Sequence, residues 1–163
     1  MELEKYISDI IISNNWKNKS RIIGEACEEY VINNVKCNRC NKLNYEKCKA
    51  NEKSTDLICI NCNKKYQVKA KRTTVKKMEK LLIDKIFKTI GGEYSTTLKS
   101  IEEDIDYLII LYDEKSYNIY NILYINSECI NSSCILPRKP LSSTAKRAGW
   151  QGCNIVFNNI HIL

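Results

Sequence analysis

A chain of 163 residues, 44% hydrophobic and 28% charged, is long enough for one domain with a core and too apolar to stay unfolded. No stretch reaches the apolar length of a membrane span and residues 1–4 lack the basic start of an export signal, so a cytoplasmic protein is expected, one in which nine cysteines read as metal ligands or buried thiols before disulfides. The net charge of +7 is uneven, with +11 on residues 36–88 and −4 on the rest; such a field attracts polyanions, although a solvated lysine face would look the same.

In chain order, Leu3, Tyr6, Ile7, Ile10 and Ile11 recur at helical spacing. Ile22, Ile23, Ala26, Cys27, Tyr30 and Val31 do so again behind a Ser20 cap, so two amphipathic helices open the chain. Residues 37–62 are rich in turn formers and cysteine. Residues 66–71 then alternate, placing Gln67, Lys69 and Lys71 on one strand face and Tyr66, Val68 and Ala70 on the other. A third helix is expected over residues 74–89, broken by Gly91-Gly92, followed by strands over 106–111 and 117–125 joined through residues 113–115. Ser142 or Ser143 is expected to cap a short helix ending near Gly149, and residues 154–157 form one more strand. Trp16, Met78 and the strand tyrosines read as core, and His161, the single histidine, as a surface side chain. No internal repeat, linker or domain boundary is evident, and residues 1–163 read as one domain.

The most specific local signal is Cys37-x-x-Cys40 followed, after 18 residues, by Cys59-x-x-Cys62. Two such pairs offer four thiolates to one zinc ion and leave no open position, as in a structural site. Cys27 and Cys48 have no partner two residues away and read as buried or free thiols. The second pair interrupts a hairpin with Asp56 on one side and Gln67-Val68-Lys69 on the other. A carboxylate and a second oxygen across a hairpin can hold a hard divalent cation, and a lysine two residues on can orient a water beside it. The pattern is short, and lysines solvating a zinc hairpin would produce it equally.

The chain resembles the DpnI-like, dam-replacing family of methyl-directed restriction endonucleases, of the PD-(D/E)XK superfamily. The resemblance rests on EEYVINNVKCNRC (28–40), TDLICINCNKKYQVKAK (55–71), IGGEY (90–94) and above all RKPLSSTAKRAGWQGCNI (138–155). It implies an α/β fold with a mixed central sheet flanked by helices and an inserted four-cysteine zinc site. It further implies Mg²⁺ as catalytic cofactor and Zn²⁺ as structural one, with double-stranded, N6-adenine-methylated DNA as partner. The activity expected is a type II, methyl-directed, site-specific deoxyribonuclease acting at G-m6A-T-C. By position, Asp56 becomes the first metal-binding acid, Gln67 takes the place of the motif acid, the Val68 carbonyl joins them on Mg²⁺, and Lys69 is the motif lysine. Glu28 falls where the family has an acid on its first core helix, with Glu25 a turn earlier as a substitute. Gln67 departs from the usual Glu or Asp; an amide keeps a coordinating oxygen but removes a charge and weakens the hold on a hard cation. The family's enzymes continue into a C-terminal winged-helix domain, which this chain is expected to lack. A non-catalytic, zinc-stapled DNA-binding or methyl-reading module is the alternative.

Residues 136–150 add Arg138, Lys139, Lys146 and Arg147 and no acid. Ser142, Ser143 and Thr144 offer hydroxyls and a helix N-terminus to a phosphate, and Lys71 extends the basic face of the hairpin strand. The resemblance sets Trp150 against the target bases; a core aromatic beside Gly149 and Gly152 is the other reading.

Overall fold

A computed structural model describes residues 3–14, 17–48, 55–84, 86–158 and 160–163; Trp16 lies outside them. Two helices, α1 (Glu4–Asn14) and α2 (Lys19–Asn34), open the chain. The second is capped by Asn18 rather than Ser20: the Asn18 side chain accepts from the amides of Ser20 (3.1 Å) and Arg21 (3.3 Å), which satisfies two donors of the first turn. There follow β1 (Tyr45–Lys47), β2 (Leu57–Cys59), β3 (Lys65–Thr73), α3 (Val75–Asp84), β4 (Ile86–Glu93), α4 (Tyr94–Ser100), β5 (Ile105–Asp113), β6 (Ile119–Ile125), β7 (Ile135–Pro137), β8 (Gly152–Asn158) and β9 (His161–Ile162). Among the described residues no helix is long and apolar enough to cross a membrane.

The strands form a mixed six-stranded sheet, ordered β1-β2-β3-β5-β6-β9, and a three-stranded sheet, β4-β8-β7. In the large sheet β3 and β5 run parallel while β1, β2, β6 and β9 pair antiparallel to their neighbours. The parallel pair is joined by a crossover through α3, β4 and α4. Eight of the nine residues of β5 are buried, because both faces of the sheet are covered. On one face Ala26, Cys27, Tyr30 and Val31 of α2 pack with Tyr66, Val68, Leu108 and Ile110. On the other, Tyr107, Ile109, Leu111 and Leu123 pack with Phe87, Ile155 and Phe157 of the small sheet. The fold is the mixed α/β architecture that the sequence predicts.

Two further expectations fail. The helix expected over 74–89 ends at Asp84, and 86–93 is a strand whose Phe87 and Thr89 face the core while Ile86, Lys88 and Ile90 face out. Residues 141–149 make successive turns rather than a Ser-capped helix. Cross-hydrogen bonds from Leu141 N to Trp150 O (3.0 Å) and Gly149 N to Leu141 O (3.2 Å) close them into a loop, and Gly149 sits at φ +76°, a conformation open to glycine.

Candidate active site and zinc centre

The sulfurs of Cys37, Cys40, Cys59 and Cys62 all lie within 4.8 Å of one another, with Cys37–Cys62 and Cys40–Cys59 at 3.5 Å. Sulfurs at about 2.3 Å from one tetrahedral zinc would be separated by about 3.8 Å, so the cluster has the dimensions of a closed four-thiolate site. Each pair sits on a turn of the same design. Cys37 N donates to Lys42 O and Asn41 N to Cys37 O, both at 2.8 Å; Cys59 N donates to Lys64 O at 2.9 Å and Asn63 N to Cys59 O at 2.8 Å. Asn41 and Asn63 occupy the left-handed region at φ 56° and 57°. The six residues Cys-x-x-Cys-Asn-Lys thus occur twice, at 37–42 and 59–64, a short repeat that corrects the expectation of none.

The surroundings suit a cation. Burial, then hydrogen bonds with the sulfurs of Cys37 and Cys40, push the Cys59 thiol up to about 12, whereas at Cys37 burial is overcome by hydrogen bonds from Tyr66 and the Cys40 and Arg39 amides, which bring the thiol down to about 7; a cation would offset the mutual repulsion of four thiolates at this spacing. The Tyr66 hydroxyl reaches Cys37 Sγ at 3.2 Å. The buried Tyr45 hydroxyl, in the field of all four sulfurs, has no hydrogen-bond partner among the described residues. Cys27, fully buried in the core, has its thiol pushed up to about 12 by burial and then by Glu28. Cys48 is half-buried and outside the cluster.

The second turn joins β2 to β3, and this hairpin carries the predicted catalytic residues. Leu57 pairs with Tyr66 and Ile58 with Lys65, and Asp56 sits at the bend just before β2. Asp56 N donates to Tyr66 O (2.9 Å), and Asp56 Oδ2 accepts from Val68 N at 2.7 Å. The carboxylate thereby replaces the next rung of the ladder, which fixes it at the edge of β3 where the Val68 carbonyl also emerges. Gln67, Lys69 and Lys71 alternate with the more buried Tyr66 and Val68, as the sequence predicts. Burial raises the Asp56 pKa against the opposing pull of the Val68 amide and of Lys69, with Glu25 adding to the rise.

Glu28 comes to this site from α2. Burial, and next the Asp56 carboxylate, push it up to about 7, so the two acids sense each other as like charges. Lys47 of β1 meets all three glutamates of the helix face: it pairs with Glu25, with Glu29 at 2.8 Å and with Glu28 at 3.7 Å. Burial disfavours the Lys47 ammonium, yet its hydrogen bonds to Glu25 and Glu29 prevail and raise its pKa. Glu25 is therefore bound to Lys47. Tyr107, paired with Gln67 across β3 and β5, has its hydroxyl pushed up to about 12 by burial, then by Cys153 and Asp56. Carboxylates, an amide oxygen and a backbone carbonyl are donors of the kind that hard divalent cations take.

A third constellation anchors the zinc turn. Lys64, 7% exposed, pairs with Asp106, 2% exposed, at 2.9 Å and also with Asp104; Asp106 further accepts from Tyr124 Oη (2.7 Å) and Ser127 N (2.8 Å). The roles of Lys47, Lys64 and Asp106 lie outside the sequence-based expectations. The repeated Asn-Lys after each cysteine pair is the one sequence signal that singles out Lys64, and none links Lys47 to α2.

The predicted DNA-binding residues fall in two places. Arg138, Lys139, Ser143, Lys146 and Arg147 are all exposed on the segment before β8. Trp150 is half-buried at its end, with the Arg147 guanidinium 4.5 Å from its ring centroid. A Cβ at Gly152 would lie 2.9 Å from the Trp150 ring, so glycine makes room for the indole. Lys71 stands apart, in a cleft with α3 and the start of β4. Met78 is half-buried and His161 is exposed, as expected; of the tyrosines read as core, Tyr66, Tyr107, Tyr112 and Tyr124 are buried, whereas Tyr117 and Tyr120 are only half-buried.

The sequence matches the family model described as DpnI: Dam-replacing family over residues 4–161, and all the residues named above fall within that match. The order of acid-bearing helix, zinc-stapled hairpin and parallel partner strand is consistent with a PD-(D/E)XK placement, and the chain belongs to the dam-replacing (DpnI) family.

Proposed function

We propose that the chain is a Mg²⁺-dependent endonuclease that cuts double-stranded DNA methylated on adenine, at G-m6A-T-C. What supports this reading is that Asp56, tied to β3 at Val68 beside Gln67, and Glu28 of α2 act on each other as like charges, with Lys69 two residues beyond Gln67 on the same strand. Asp56, Gln67, Glu28 and the Val68 carbonyl would hold the cation. When bound, it offsets charge developing on the phosphate and makes water more acidic. Lys69 orients the attacking water and takes or steadies its proton, within the field of Asp56. Lys47 neutralises part of the acidic face of α2 and keeps Glu28 facing the hairpin. The four-sulfur cluster takes no part in the chemistry; it sets the hairpin on which the chemistry depends.

Sequence reading is assigned to the segment ending at Trp150. Exposed Arg138, Lys139, Lys146 and Arg147 supply affinity blind to the methyl group, whereas an N6-methyl adds apolar surface that a shaped aromatic contact can distinguish. The Arg147 guanidinium on the indole is an exchangeable cover, since a cation–π contact at an exposed site is worth roughly 0.5–1 kcal/mol.

The test combines cleavage and binding. Wild type should cut adenine-methylated plasmid with Mg²⁺ or Mn²⁺. Asp56→Ala and Lys69→Ala should abolish cutting while binding in Ca²⁺ persists, and Trp150→Ala should reduce the preference for methylated duplex more than total affinity. Wild type that binds methylated DNA and never cuts it would replace this reading with the binding-module alternative. Equal loss of affinity for methylated and unmethylated duplex in Trp150→Ala would make the tryptophan a packing residue.

A further inference from the structure

The strand carrying Lys69 continues into a cleft that the catalytic reading leaves without a role. Lys71, on the same face roughly 7 Å further along β3, lines a cavity of about 290 Å³ with Arg72, Lys77, Lys80, Phe87 and Lys88. A second cavity of about 510 Å³ shares Lys71, Arg72 and Lys77 and extends to Lys115. Lys77, Lys80, Lys88 and Lys115 are exposed. Among the described residues none of them, nor Lys71, has an acidic partner within 4.0 Å.

The acids nearby cancel only part of this charge. Glu114 is engaged with Arg72 at 2.9 Å. Asp113 is turned into its own hairpin, accepting from the amides of Ser116 (2.8 Å) and Lys115 (3.0 Å) and from the Tyr120 hydroxyl (3.2 Å). Asp84 remains, at the end of α3. Five lysines and Arg72 outnumber Asp84, Asp113 and Glu114 along the open trough, and the surplus of positive charge makes a field that favours a chain of phosphates.

Its location identifies which phosphates. Ile86 of β4 pairs with Asn158 and Glu93 with Gly152, so the lysine cleft lies at the Ile86 end of the small sheet and Trp150 at the Gly152 end. The seven residues of β8 separate them, roughly 20 Å of strand. Along β3 the order is the same: Gln67 and Tyr107, near Cys153, adjoin the Trp150 end, Lys71 and Leu111 adjoin the cleft, and Lys69 lies between.

We propose that the cleft between β3, α3 and β4 is a phosphate track that grips DNA flanking the recognised bases, on the side of Lys69 away from Trp150. The inference rests on the endonuclease reading of the same chain. Its occupant is the sugar–phosphate backbone, so its contribution is independent of sequence and methylation.

The experiment replaces Lys77, Lys80 and Lys88 together by alanine, and separately by arginine, in the full chain. Binding is measured in Ca²⁺ over a range of salt, to a duplex ending just beyond the site and to one extended by a helical turn on both sides. On the long duplex the alanine variant should bind about tenfold or more weakly at moderate salt, with a salt slope smaller by about 2–3. Methylated and unmethylated DNA should lose alike. On the short duplex it should match wild type, and the arginine variant should match wild type on both. Equal loss on both duplex lengths, or an unchanged slope on the long one, overturns the track and leaves the catalytic reading standing. Wild type that binds neither duplex overturns both.

Discussion

Restoring the missing charge at Gln67 should make the chain weaker without divalent cations and stronger with them. Asp56 is tied to Tyr66 O and to Val68 N, the two residues that flank position 67, and cross-strand neighbours start roughly 5 Å apart. Two carboxylates at about 5 Å in an effective dielectric of about 20 repel by about 3 kcal/mol. Partial exposure at Gln67 and salt screening reduce this to about 2 kcal/mol. Glu28, already pushed up to about 7 by burial and by Asp56, adds to the repulsion. For a chain of this length, about 2 kcal/mol corresponds to a fall in Tm of roughly 4–8 °C. Bound Mg²⁺ converts the same carboxylate into a ligand. Thermal unfolding of Gln67→Glu should therefore start below wild type in buffer freed of divalent cations and rise more steeply with Mg²⁺, with cleavage at low Mg²⁺ increased. The protein's zinc must be left in place, which a chelating resin applied to the buffer alone allows. Identical melting of the two proteins with and without Mg²⁺ would show that residue 67 does not face Asp56 across a metal site.

Two further outcomes follow from the zinc turn. Purified protein should carry about one zinc per chain, and Cys59→Ser should lower stability by about 2 kcal/mol or more as well as activity, since a site of this kind contributes folding free energy; metal analysis with a denaturant titration checks both, and native stability without zinc would refute it. Lys64→Met should strand the 2%-exposed Asp106 and cost about 3 kcal/mol, the low end for a broken buried pair because Tyr124 and Ser127 still donate to Asp106. That is a shift of about 1.5 M in the urea midpoint; a change below about 0.5 M would mean the pair is solvated.

The parts of this molecule that can be read from its sequence are those with a period or a fixed spacing. The alternation at 66–71, the two cysteine pairs and the apolar stripes of α1 and α2 each report a local geometry, and each survives in the structure except that Ile11 of the α1 stripe is exposed. Strand β4 escapes such a reading because its inward residues, Phe87 and Thr89, directly follow an amphipathic helix, and Gly91-Gly92 looks like the end of that helix when it marks a register shift between Ile90 and Glu93. The loop before Trp150 resembles a capped helix locally, but the pairing of Leu141 with Trp150 overrides the Ser-x-x pattern. Lys47 shows the limit most clearly: the three-residue strand β1 brings it under α2 only through pairing with β2, a placement for which no window around residue 47 holds any information.

The parallel pairing of β3 with β5 sets an order on how the molecule assembles. The hairpin from β2 to β3 closes over the few residues of one zinc turn and the other two sulfurs lie upstream beyond 18 intervening residues, so the loop-closure cost is modest and the metal can lock both turns while the rest of the chain is still fluid. Strand β5 docks beside β3 across the whole of α3, β4 and α4, a long-range closure of the kind that slows folding. Until then the edge of β3 that will carry β5 stays unpaired. The half-made domain thus passes through a state that holds its zinc-stapled hairpin intact but has no sheet behind it, and chaperones, proteases and misassembly all compete for the chain in that interval.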